Sequence, residues 1–242
     1  YHLKYEFHQI PNYDNGHVVQ PLLPYTDRIQ DYKLLNLYNY LYESELSQKE
    51  IPIQIKLKIL HSVAEGLKEI HSHGFFMSTF SSKNVYIDKD FKAYLFVPKA
   101  DRKPTKDYIN FFRKLKESIF NEEDEVISND FLLFYCPPEI YNNDIQKVDY
   151  DKIDVFSLGV LAKELIEHNL PSLYTSNLSN SGKLKLLKNP HWRDFSSSSF
   201  TLGNNRSKSA VTPEFIKVLN SCLKKNPEER VKIEQLCECF SK

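Results

Sequence analysis

Asn84, in the stretch HGFFMSTFSSKNVYID (73–88), carries an amide oxygen of the kind that can ligate a hard cation. A single neutral amide makes a poor Mg²⁺ site, so its neighbours decide what it can do. Phosphoryl transfer needs a carboxylate base to take up a proton, two oxygen side chains to hold the metal, and a lysine with a glycine-rich loop to hold the phosphates. Thr79 cannot be the base, because its hydroxyl keeps its proton near pH 7. No acidic residue lies between Asp90 and Asp101. Asp101 reads as a charged loop residue rather than a displaced metal ligand. Gly16 is the sole glycine among the first 65 residues, so no glycine-rich phosphate loop precedes Asn84. Other candidates fare no better. His71 and His73 are two residues apart, on different faces of a helix end, and do not form a metal pair. Cys136, Cys222, Cys237 and Cys239 lack zinc-site spacing and read as reduced, packed thiols.

The elements that must position this stretch emerge from hydrophobic periodicity. Ile55, Ile59, Leu60, Val63, Ala64, Leu67 and Ile70 recur every three or four residues. They predict one face of a helix from Ile53 to His73, with Pro52 in its first turn and Gly74 at its end. NVYID (84–88) and KAYLFV (92–97) read as two short strands around a polar turn. Upstream, HVVQPLLPY (17–25) and DYKLLNLYNYL (31–41) read as strands, so residues 1–50 are expected to be mostly antiparallel β. The tyrosines of 32–42 offer an aromatic contact surface, half of which alternation would send into the core. TKDYINFFRKLKESIF (105–120) predicts an amphipathic helix with Tyr108, Phe111, Phe112, Leu115 and Ile119 on its apolar face. DKIDVFSLGVLAKELIEH (151–168) is apolar almost all round, as in a helix buried at the centre of a domain. TPEFIKVLNSCLKKN (212–226), with Thr212 as N-cap, and KIEQLCECF (232–240) read as closing helices. Strands first and helices after predict an α+β fold with a helical bulk.

Composition excludes some roles. Lys plus Arg and Asp plus Glu number 32 each, so the formal net charge is zero. That argues against a broad nucleic-acid or anionic-membrane footprint. No apolar run reaches the roughly 20 residues that cross a bilayer. A cytoplasmic protein that needs neither metal nor cofactor is the expectation.

Five stretches in order resemble the protein kinase family, over about residues 31–242. GLKEIHSHG resembles the helix before the catalytic loop, and FFMSTFSSKNVYID lies where that loop belongs. YCPPEIY (135–141) resembles the Ala-Pro-Glu motif, DKIDVFSLGVLAKELIE the buried central helix, and CLKKNPEER (222–230) the segment carrying the late arginine. The resemblance implies a kinase-like fold: a mostly helical large lobe over 51–242 and a truncated or rebuilt small β lobe over 1–50. It further implies that Glu139 and Arg230 form a buried salt bridge, and that Asp154 accepts hydrogen bonds from the loop backbone. It places Met77, Ser78 and Thr79 at the His-Arg-Asp positions, Val97, Pro98 and Lys99 at Asp-Phe-Gly, and Asn84 at the metal-binding asparagine.

Laid on the family pattern, the base, the metal aspartate and the glycine-rich loop are all missing. The implied class is a pseudokinase, with no phosphotransfer and no cofactor. Its expected role is a regulatory or scaffolding module for a protein partner, such as an active kinase in cis or in trans. The helix 105–120 would then cover the vacated cleft, meet the partner, or simply pack on the large lobe. A nucleotide-binding switch without catalysis, and an atypical transferase, stand as alternatives.

Overall fold

The apolar stripe of residues 53–72 forms the longest helix among the described residues, and one strand and two later helices pack on it. The computed structural model describes residues 7–8, 18–19, 34–42, 51–77, 80–95, 110, 132–141, 150–167 and 213–241. In chain order the elements are β1 (Phe7–His8), β2 (Val18–Val19), β3 (Leu35–Asn36), α1 (Leu37–Tyr42), α2 (Ile53–Ser72), a 3₁₀ turn (Ser82–Asn84), β4 (Val85–Ile87) and β5 (Ala93–Leu95). There follow α3 (Leu132–Tyr135), α4 (Pro138–Tyr141), α5 (Tyr150–Glu167), α6 (Pro213–Cys222), a second 3₁₀ turn (Pro227–Glu229) and α7 (Ile233–Phe240). β1 and β2 pair antiparallel with each other. β3, β4 and β5 make a second antiparallel sheet in that order, with Leu35 opposite Ile87 and Val85 opposite Leu95.

One expected strand is corrected. Of DYKLLNLYNYL only Leu35–Asn36 is extended, and Leu37–Tyr42 is helical. The reason is local: Asn36 Oδ1 accepts from the backbone N–H groups of Tyr38 and Asn39, which caps the turn. Leu37 and Leu41, one turn apart, are then buried together. The strand expected within 17–25 covers only Val18–Val19 among the described residues. Of the segment 105–120 only Asn110 is described, helical and exposed. Tyr108, Phe111, Phe112 and Leu115 lie outside the described residues, as do Ser78, Thr79, Val97, Pro98, Lys99 and Thr212.

α2 starts at Ile53, with Pro52 just before it in an extended conformation rather than inside the first turn. Its end has a clear cause. Gly74 takes a left-handed backbone (φ 74°), its N–H reaches the His71 carbonyl, and the Phe75 N–H reaches that of Ile70. That pair of bonds satisfies two orphan carbonyls and turns the chain into the loop. Phe75 and Ile70 are both buried.

α5 is buried on every face from Ile153 to Ile166, as its sequence predicted. It lies between α2, α3 and α6, while α7 packs on the far part of α2. Gly159 permits the approach to α6: a Cβ there would lie 2.6 Å from Cys222 Cβ. Lys56 on α2 is buried, and its Nζ donates to the Ile166 carbonyl near the end of α5. Among the described residues, no helix is long and apolar enough to cross a membrane.

Candidate functional site

The loop between α2 and β4 is held from beneath by Asp154, near the start of α5. Asp154 is fully buried, and its Oδ2 accepts from the backbone N–H of Met77 (2.9 Å) and from His71 Nε2 (2.8 Å). The resemblance implied the contact to the loop backbone; the His71 contact was not anticipated. His71 was set aside as a metal ligand, and its ring proves to be a brace between α2 and α5. Burial opposes the charged imidazole. The hydrogen bond and charge of Asp154, with Asp151 and Glu234, outweigh it and hold the His71 pKa above its ordinary value. The His71 ring also lies against Phe76, and Phe76 against Tyr150, so the entry to the loop is packed as well as hydrogen-bonded.

Within the loop, Met77 and Phe80 point into the core, both buried. Ser81 and Asn84 then form a reciprocal cap around the 3₁₀ turn. Ser81 Oγ accepts from the Lys83 N–H, and Asn84 Oδ1 accepts from the Ser81 N–H at 3.0 Å. Because the Ser81 backbone group is a donor, the atom facing it must be the amide oxygen. The one retained oxygen of the expected metal set is therefore turned toward its own loop. α1 is tied to the same turn, with Asn36 Nδ2 donating to the Lys83 carbonyl and the Lys83 ammonium over the Tyr38 ring.

A second carboxylate, Glu164, sits beneath the other side of the turn and was not singled out from sequence. Ser82 Oγ donates to its Oε1 at 2.8 Å, and the Tyr135 hydroxyl donates to its Oε2. Burial pushes its pKa up to about 7, while the hydroxyls of Tyr135, Ser82 and Tyr42 pull the other way. The sequence did carry a signal: an acidic residue in a helix that is otherwise apolar all round must find partners inside the domain.

Farther along, Arg230 and Glu139 form the expected buried pair. Arg230 Nη1 and Nη2 reach Glu139 Oε1 and Oε2 at 2.6 and 2.7 Å. The remaining guanidinium donors go to backbone carbonyls: Nε to Lys224, Nη1 to Lys152 and Nη2 to Lys225. Five N–H groups thus meet five acceptors, and the Phe156 ring lies under the guanidinium. Glu139 and Arg230 meet each other directly, and Arg230 also reaches the start of α5 at Lys152, two residues before Asp154.

Chemically, the described part of this region is a set of internal braces. Among the described residues, no group of three or more His, Cys, Asp or Glu side chains is arranged to hold a metal ion. A comparison with curated proteins returns no match. The family model for the protein kinase domain matches residues 25–239. That span takes in the loop, both braces and the Arg230 pair, and the chain belongs to the protein kinase domain family.

Proposed function

We propose that this is a protein kinase domain that does not transfer phosphate and instead works as a regulatory or scaffolding module for a protein partner. The observation that carries the reading is the inward turn of Asn84. Its oxygen caps the Ser81 N–H, where a metal-binding role would need it facing the cleft. The sequence around it agrees. Threonine stands at the position of the base and valine at that of the metal aspartate; the threonine hydroxyl does not take up the substrate proton near pH 7, and the valine has no oxygen for Mg²⁺. What the domain keeps is scaffold: Asp154 under the loop, and the Glu139–Arg230 pair that ties α4 to the segment before α7. A partner would be met by surface side chains, and the apolar face of 105–120 (Tyr108, Phe111, Phe112, Leu115) is the first candidate.

The test is a phosphotransfer assay with labelled ATP and Mg²⁺, alongside a thermal-shift titration. The expected result is no transfer above that of a Thr79→Ala variant, and no shift at millimolar ATP. Label transfer that disappears in Thr79→Ala, or in Asn84→Ala with the fold intact, refutes the reading. A Mg²⁺-independent shift without transfer would instead identify a nucleotide-binding switch; saturation at 100 times the dissociation constant stabilises by about 2.7 kcal/mol. Phe112→Asp with Leu115→Asp, in a protein that stays folded, is expected to abolish partner capture.

A further inference from the structure

We propose that Glu164 is a proton-operated latch joining two separate segments of the domain to α5: the loop turn through Ser82, and the approach to Pro138-Glu139 through Tyr135. The proposal goes beyond the scaffold reading and does not depend on it.

The geometry is specific. Glu164 is almost fully shielded from solvent, and each of its oxygens accepts from a hydroxyl on a different segment. No charged side chain is among the groups that shift it. On α2, Lys56 is directed to the Ile166 carbonyl; Lys163, also buried, is its neighbour along α5; the His71–Asp154 pair lies near the other end of that helix. A carboxylate without a nearby cation and removed from water is destabilised in its charged form, which draws its protonation toward neutral pH.

The two protonation states need different hydrogen-bond directions. Ionised, the carboxylate only accepts, and the hydroxyls all point their hydrogens inward. Protonated, one oxygen must donate, so one hydroxyl has to turn its own hydrogen away and accept. The bond between them then runs in the opposite direction and loses its charge assistance, so that segment is held to the centre more weakly. The turn carrying Ser82 also carries the Ser81–Asn84 cap, and Tyr135 directly precedes the segment of Glu139. A single proton thus changes how two loops are held to α5, without any ligand.

The test is a ¹³C NMR titration of the glutamate side-chain carboxyls from pH 4 to 9, with backbone amide shifts followed in parallel. Wild type is compared with Glu164→Gln, Ser82→Ala and Tyr135→Phe. One carboxyl resonance, absent in Glu164→Gln, is expected to titrate near 7, with the Ser82 and Tyr135 amides moving at the same midpoint. Removing either hydroxyl donor should raise that midpoint, an effect that mere packing at Glu164 would not produce. Between pH 5 and 8 the unfolding constant should rise by up to about a hundredfold from this group, and that rise should be absent in Glu164→Gln. Ser82→Ala leaves the carboxyl in place, so it carries the test if Glu164→Gln does not fold. A midpoint in the ordinary carboxylate range, or Ser82 and Tyr135 amides that do not follow the titration, overturns the proposal.

Discussion

Replacing Arg230 by methionine removes a cation whose five N–H donors all have acceptors in this protein. Methionine fills much of the volume but leaves Glu139 as a buried carboxylate with its partner gone. It also leaves the Lys152, Lys224 and Lys225 carbonyls without these donors, of which only those near the surface recover water. Stranding one member of a buried pair costs roughly 3–5 kcal/mol. Against a typical domain stability of about 5–15 kcal/mol, that is a large fraction. The perturbation is read by urea unfolding followed by circular dichroism, as a lowered midpoint with an unchanged slope. Pairing Arg230→Met with Glu139→Leu restores neutrality, because neither charge is then left alone. The double variant is therefore expected to lose clearly less than the sum of the singles. If Arg230→Met lowers stability by under about 1 kcal/mol, or if the two losses simply add, the pair does not hold the large lobe as argued.

Gly159→Ala places a Cβ 2.6 Å from Cys222 Cβ and 2.8 Å from Leu223 Cδ2, so α5 and α6 must separate. The expected loss is about 1–3 kcal/mol, offset by at most about 1 kcal/mol of better helix propensity, and a thermal melt decides the sign. His71 supplies a pH dependence whose direction follows from its raised pKa. Its folded value lies above its unfolded one, so the stabilisation is complete below pH 6.5 and is lost as pH rises through the folded value. His71→Gln, which keeps a donor for Asp154, should flatten that fall when unfolding is measured between pH 6 and 9.

Much of the helical framework is legible in the sequence. The stripe of α2, the all-round apolar character of α5 and the two strands around the turn at 88–92 follow from spacing alone, since burial selects residues by face. Glu139, Arg230 and Asp154 were legible through motif order. What escaped was the helix at 37–42, because Leu37 and Leu41 fit a short buried run of either type. The deciding cap at Asn36 is a side-chain contact rather than a pattern. Glu164 was passed over for a related reason. Residue type marks it as unusual in α5, but its meaning depends on Ser82 and Tyr135, 82 and 29 residues away along the chain.

By itself, the sequence determined which side chains are chemically able to act, with a threonine at residue 79 and a valine at residue 97. It also determined which helices must be buried. Only the tertiary structure decided where the surviving polar groups point. It turned Asn84 onto Ser81, coupled His71 to Asp154, and gathered two hydroxyls at Glu164. The physical reason is that buried polar groups draw their hydrogen bonds from whichever partners the fold brings within about 3 Å, and such partners often come from distant parts of the chain that no local spacing encodes.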